Sequence, residues 1–478
     1  MSIMEVDNET PQEVQTVLAR LQSADGIPLP GGLLDLPINI SVEQLQLICN
    51  ALLNEEDPMP LAFYVNDVEV ENSLKPYLSL NKEFNPSENV IDIIYQPQAI
   101  FKVRSVTRCT GELEGHTEAV LAVQFCPNGQ ILASGSGDKT LRLWDIHTQT
   151  PFKTCQGHGD NVLCVAWSPC GKKVASASEN GKILVWNAED GAQIGKPMVA
   201  HKKWVNCLSW EPFHSNESCR FLVSSSKDTT LRIWDTVLGQ TVRQLNGHTM
   251  SVTCVKWGGR GLIYSSSQDR TIKVWNAEDG KLCRTLEGHA HWVNTLALNV
   301  DYALRTAAFE ITNKKNELES PKERAKRRYE AVGEEKLVSG SDDFTLILWK
   351  PETSKKPFER MSGHHQLIND VKFSPDGRLI ASASFDKSIK LWDGNTGKFI
   401  SVLRGHVQRV HSIAWSADSR LLVSGSADST LKVWNIKTRK LLHDLPGHGD
   451  EVYAVDWAPS GDRVASGGKD KALRLWQN

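Results

Sequence analysis

A chain of 478 residues with 40% apolar content has material for a sizeable core and room for two or three ordinary domains. No apolar run reaches the ~20 residues of a bilayer-spanning helix. The opening MSIMEVDNET has neither the basic nor the apolar region of a secretory leader. The ten Cys are scattered without a CxxC pair, which fits reduced thiols in a cytosolic or nuclear compartment. The formal net charge of -3 is unevenly spread: residues 1–104 hold 5 Lys/Arg against 16 Asp/Glu, and the remainder 49 against 41. An acidic head and a mildly basic body point to different partners, although that basic excess is too small to establish RNA binding.

Residues 1–12 read as a disordered tail. EVQTVLARLQ then alternates as a strand, DGIPLPGG reads as a turn, and LLDLPINI as a second strand. SVEQLQLICNALLN is a helix: Ser41 and Gln44 make a capping box, and Leu45, Ile48 and Leu52 share one face. Pro58 and Pro60 end it. LAFYV and VEV are strands, SLKPYL a turn of helix, and VIDIIYQ a buried strand. This order over residues 13–104 resembles ubiquitin.

From residue 105 to residue 478 one sentence is written repeatedly. Its clearest copy is GHTEAVLAVQFCPNGQILASGSGDKTLRLWD, beginning at Gly115. Gly-His pairs end at His116, His158, His248, His289, His364, His406 and His448, and Ala200-His201 fills the wide gap. Each copy closes on a Trp: Trp144, Trp186, Trp234, Trp275, Trp349, Trp392, Trp434 and Trp476. Apolar residues alternate within each copy, and Gly-Asp or Pro-Asn-Gly signals separate the runs, as in tight-turned antiparallel strands. Eight starts at a spacing near 42 residues fall in the range of the four-stranded WD blade.

The recurring His, Ser, Asp and Trp resemble the WD-repeat family, in which they form a hydrogen-bonded chain inside each blade; in the first copy these are His116, Ser134, Asp138 and Trp144. The second copy departs from that pattern, with Asn180 where Asp is expected. The chain stops two residues after Trp476, one strand short of a complete last blade, and Val106–Leu113 can supply the missing strand. The expected fold is therefore mainly β: an eight-bladed WD-repeat β-propeller with an N-terminal ubiquitin-like α+β domain.

The fifth copy carries an insertion at about 301–336. Within it SPKERAKRRYEAVG predicts a helix, with Ser320 as N-cap, Pro321 in the first turn, Glu323 closing a capping box and Gly333 as the stop. Glu323 and Arg327 stand at i,i+4. Arg324, Arg327 and Arg328 make a basic face suited to RNA phosphate or to nuclear import, against the plainer reading of a solvated, salt-laced helix. The residue just ahead of each copy's first Val or Ile lies on the upper face of WD propellers. Here Trp204, Trp292, Leu367 and Arg409 fall there, and exposed Trp and Arg are typical anchors for a protein or RNA partner.

An acidic ubiquitin-like head, the junction YQPQAIFKVR and eight repeats with this insertion resemble the Notchless family of ribosome-assembly factors over nearly the whole chain. The resemblance implies a non-enzymatic factor for the large (60S) ribosomal subunit, located in the nucleus and nucleolus and bound to pre-60S proteins and rRNA. It implies a head that docks on the metal-binding domain of the AAA ATPase midasin. A carboxylate in FNPSENVIDII, matched by Glu88 with Glu83 as its nearest competitor, would complete the partner-held Mg²⁺; the chain has no cofactor of its own. The family's name also implies a rival role, as an adaptor modulating Notch signalling through the receptor's intracellular region, or as a ubiquitin-pathway scaffold. A Ser-His-Asp hydrolase is disfavoured because the set recurs at constant spacing in nearly every copy, and no phosphate loop, H-E-x-x-H or G-x-S-x-G accompanies it.

Overall fold

The computed structural model describes residues 16–23, 28–53, 61–65, 68–70, 73–74, 90–97, 103–306, 308–309 and 320–478. The chain divides into two compact units, Met1–Ile100 and Phe101–Asn478.

In the first unit β1 (Thr16–Ser23), β2 (Pro28–Pro37), β3 (Leu61–Val65), β4 (Val68–Glu69) and β5 (Ile91–Pro97) form one sheet in the order β2-β1-β5-β3-β4. β1 and β5 run parallel at its centre, and the other pairs are antiparallel. Helix α1 (Val42–Leu53) packs Leu45 and Cys49 against Val17, Ala19, Phe63 and Ile93, all buried. Its capping box is made as the sequence indicates: Gln44 N–H donates to Ser41 Oγ (3.3 Å) and Ser41 N–H to Gln44 Oε1 (3.1 Å). One reading is corrected. The Pro/Gly stretch expected to be a turn already belongs to β2, which begins at Pro28. Proline is tolerated there because β2 is the sheet's edge, and Gly32 at φ 72° accompanies the shift in register. Of the SLKPYL stretch, only Ser73 and Leu74 lie among the described residues. Ser73 bridges Ser41, and Leu74 is buried.

The second unit contains eight four-stranded antiparallel sheets. In each blade, strands a to d follow in order, and strand a packs against strand a of the next blade. The strand-a segments are Val120–Phe125, Val162–Trp167, Val205–Trp210, Val252–Trp257, Val293–Leu298, Ile368–Phe373, Val410–Trp415 and Val452–Trp457. The last packs on the first, so the ring is closed. β6 (Arg108–Leu113) pairs antiparallel with Leu473–Gln477 and supplies the outer strand of blade 8. The chain's first propeller strand therefore completes its last blade, and no inner edge is left open.

The eight closing Trp side chains are at most 3% exposed. At ~25 cal/mol per Å² and ~150–250 Å² apiece, each contributes a gross transfer term of roughly 4–6 kcal/mol. The insertion leaves blade 5 between strands a and b, at the face where every strand a ends. It contains α2 (Asp301–Thr306) and α3 (Pro321–Glu330), which pack on each other.

Candidate interaction surfaces of the ring

Seven of the eight blades carry the same polar chain. In blade 1, Trp144 Nε1–H donates to Ser134 Oγ (2.8 Å), Ser134 lies 2.7 Å from His116 Nε2, and His116 Nδ1 lies 2.7 Å from Asp138 Oδ2. An ionised Asp can only accept, so Nδ1 holds the proton, and Nε2 accepts from the Ser hydroxyl. Asp138 also accepts from Thr140 N–H and Oγ and from Thr117 N–H. Burial alone would raise its carboxyl. The His116 and Thr140 bonds outweigh burial and hold it well below the usual range, as happens at Asp228, Asp269, Asp343, Asp386 and Asp428. Ser134 is 0% exposed, so this constellation is sealed from any substrate and organises the turn that joins strands b and c.

Blade 2 is wired differently. With Asn180 in place of Asp, His158 Nδ1 donates to Ser178 Oγ (3.0 Å), which donates to Asn180 Oδ1 (2.6 Å). No carboxylate faces this imidazole. Burial, then the Lys182 ammonium, lowers its pKa from 6.5 to about 4. A His kept neutral in the fold contributes stability that is full above pH 6.5 and is lost as pH falls from 6.5 toward 4, where only the unfolded chain takes up the proton. Asn180→Asp is expected to raise the His158 pKa, measured by NMR of labelled histidine. It should also flatten this acid loss and add about 1 kcal/mol at neutral pH.

On the upper face Trp204 is 41% and Trp292 40% exposed. Lys227 Nζ sits 4.1 Å from the Trp204 ring centroid, and His291 packs against Trp292 at 5.3 Å. Leu367 is half-buried. Arg409 lies over Phe385 (5.4 Å), and its Nη2 bonds both oxygens of Glu451, at 3.1 and 3.0 Å; His411 bonds the same carboxylate at 3.1 Å. A cleft of about 370 Å³ opens here, lined by Gln366, Phe385, Lys387, Gln408, Arg409 and Glu451 among others. Arg409 thus presents a shaped, charge-paired surface, and its pairing with Glu451 was missed although both occupy the same position in neighbouring copies.

On the opposite face the insertion crosses the mouth of the channel. Asp301 pairs with Lys256 on strand a of blade 4 (3.0 Å). Arg305 grips Asp456 on strand a of blade 8 (2.9 and 2.5 Å) and the Phe125 carbonyl at the end of strand a of blade 1 (2.9 Å). Tyr302 packs on Val103, Val106 and the cluster of blades 7 and 8. Arg328 donates to the carbonyls of Thr306 and Phe309 (2.8 Å each) and to Thr306 Oγ1 (2.9 Å), so this guanidinium binds the C-terminus of α2.

Glu323 serves the expected capping box with Ser320, and Lys326–Glu330 (3.8 Å) is an i,i+4 pair on α3. Arg327 is exposed and Arg324 half-buried. Tyr329 stacks on His214 at 4.7 Å. Its hydroxyl and that of Tyr264 donate to the two oxygens of Glu335 (2.7 and 2.8 Å), as does Gly259 N–H (2.5 Å). Glu335 is 0% exposed. A Cβ on Gly259 would stand 2.2 Å from Tyr329, so only glycine lets the rings approach.

Glu88 and Glu83 lie outside the described residues. Among the described residues no group of three or more His, Cys, Asp or Glu side chains is placed to hold a metal, and no helix is long and apolar enough to cross a membrane.

A closed ring of four-stranded blades with the Trp-Ser-His-Asp chain defines a WD-repeat propeller, here joined to a small mixed-sheet head. The WD domain, G-beta repeat family matches residues 107–145, 149–187, 193–235, 239–276, 355–393, 397–435 and 439–477, and the NLE (NUC135) domain matches 17–78. The seven matched repeats skip blade 5, which the insertion interrupts. Protein Notchless of Drosophila melanogaster is 53% identical over 386 residues, 79% of this chain and 78% of that one. Notchless protein homolog of Arabidopsis thaliana is 51% identical over 407 residues, 84% of each. Ribosome assembly protein 4 of Saccharomyces cerevisiae is 47% identical over 415 residues, 82% of this chain and 80% of that one. The crystal structure of the computationally designed Ika8 protein matches with a TM-score of 0.62 at 27% identity, covering 78% of this chain and 100% of that one. The chain belongs to the Notchless family.

Proposed function

We propose that this chain is an assembly factor for the large ribosomal subunit, acting in the nucleus and nucleolus as a non-enzymatic scaffold. What carries the reading is its similarity along most of its length to a protein named for ribosome assembly. The ring seats on the precursor particle through its upper face. Trp204 and Trp292 are the apolar anchors there, and Leu367 and the Arg409–Glu451 cleft shape the surface beside them. Arg327 and Arg324, on a helix whose Arg328 is engaged internally, offer a second contact for rRNA phosphate on the opposite face.

The head reaches a midasin-type AAA ATPase, where Glu88 adds one carboxylate oxygen to a Mg²⁺ held by that partner, a hard ligand for a hard ion. Such a bond is directional, which suits the transfer of mechanical force. Glu88→Ala in the full chain is expected to abolish capture of the ATPase's purified metal-binding domain in the presence of Mg²⁺. Glu88→Asp should weaken capture by shortening reach. Undiminished capture by Glu88→Ala would remove this mechanism. The relative named Protein Notchless favours a second reading, an adaptor acting on a receptor's intracellular region; a chain in that role would fractionate with membranes.

A further inference from the structure

The third residue of strand a is cysteine in three successive blades: Cys164 in VLCVAW, Cys207 in VNCLSW and Cys254 in VTCVKW. Cys164 and Cys207 reach toward the next blade, while Cys254 reaches back to the one before it. Cys164 Sγ lies 3.9 Å from the Val205 carbonyl of blade 3, and the Cys254 thiol donates to Cys207 Sγ across 3.9 Å. All three are half-buried, as is Cys170, whereas Cys49, Cys126, Cys155 and Cys219 are sealed and Cys109 and Cys283 are exposed. Lys256 follows Cys254 by two residues and so shares its side of the strand. The thiol hydrogen donated by Cys254, with Lys256 beside it, holds Cys207 below the ordinary thiol range, while Cys254 itself is pushed up. Cys207 Sγ accepts from Cys254 and itself donates to the Val255 carbonyl (3.6 Å), so the two sulfurs face each other across the blade boundary.

We propose that Cys207 and Cys254 are a peroxide-reactive thiol pair that closes a reversible disulfide between the inner strands of blades 3 and 4. The Cys207 thiolate attacks one oxygen of a hydroperoxide and breaks the O–O bond. Cys207 becomes a sulfenic acid, and the leaving oxygen departs as water or alcohol after taking a proton. Cys254 then attacks the Cys207 sulfur, gives up its proton and expels the sulfenic oxygen as a second water. In sum, two thiols are oxidised to one disulfide and the peroxide is reduced by two electrons. The 3.9 Å gap must close to a bonded separation of about 2 Å.

The test exposes the full chain to hydrogen peroxide, quenches it with N-ethylmaleimide and maps its peptides by mass spectrometry. A Cys207–Cys254 linked peptide that disappears with dithiothreitol is expected. Cys254→Ser should stop the reaction at a Cys207 sulfenic acid trapped by dimedone, and Cys207→Ser should leave Cys254 unreacted. Peroxide that modifies the exposed Cys109 and Cys283 while Cys207 and Cys254 remain alkylatable would overturn the assignment. So would a Cys207 driven to sulfinic acid in the wild-type chain with no linked peptide, a result that needs no variant to interpret.

Discussion

Arg305→Ala is expected to loosen the ring at its closure. The guanidinium, 23% exposed, ties the insertion of blade 5 to Asp456 of blade 8 and to the Phe125 carbonyl of blade 1, the two blades on either side of the seam. Removing it leaves Asp456, 13% exposed, with the Phe125 N–H as its remaining bond in that set. Breaking a buried pair from one side costs ~3–5 kcal/mol, and partial exposure puts this one near the lower bound. A fall in Tm on the order of 5 °C or more should follow. Hydrogen exchange should rise first in β6 and in Val120–Phe125, because the seam opens before the blades do. Lys322→Ala, at an exposed position on α3, is the control and should change neither. Equal Tm for the two variants would show that the insertion merely rests against the channel mouth.

Glu335→Ala should release α3. Its carboxylate collects the Tyr264 and Tyr329 hydroxyls and the Gly259 N–H, all in a fully buried setting. Stranding buried donors costs ~1–3 kcal/mol each, so a loss on the order of 3 kcal/mol or more is expected. Hydrogen exchange at Pro321–Glu330 should accelerate while the strands of blades 1 and 2 keep their protection. Protection of α3 left at the wild-type level would mean that stacking on His214 and burial of Ala325 hold the helix without the carboxylate.

These two residues also mark where the sequence stopped being informative. The ring is legible because period, polar set and closing Trp recur, so a single copy read correctly yields the others. Counting Gly-His pairs and Trp also finds blade 5, since both landmarks survive on either side of the inserted segment. The caps of α3 are local, and Ser320, Pro321 and Glu323 suffice to place them. Its docking is not local: Glu335, Tyr264, Tyr329 and Gly259 come from separate elements with no common spacing. A basic face such as Arg324, Arg327 and Arg328 reads as solvated or RNA-directed until Arg328 is seen closing the C-terminus of α2. In the head, Pro28 and Pro30 looked like a turn because proline opposes strands in general. What tertiary pairing adds is that β2 lies at the sheet's edge, where the missing N–H costs little.

The upper-face residues show the same division. Position alone selected Trp204, Trp292, Leu367 and Arg409, and both Trp rings stand exposed. Position alone did not reveal that Arg409 is half of an ion pair with the residue one repeat later. Glu451 offsets the Arg409 charge at this cleft, so a contact to Arg409 should depend less on salt than a contact to Arg327.

Sucrose-gradient sedimentation of the tagged full chain from nuclear extract tests the central claim most directly. An assembly scaffold should co-migrate with precursors of the large ribosomal subunit, and replacing Trp204 and Trp292 together by Ala should move it to the light fractions while its Tm stays near that of the wild type. A wild-type chain found only in the light fractions, or carried with membranes, would contradict the account.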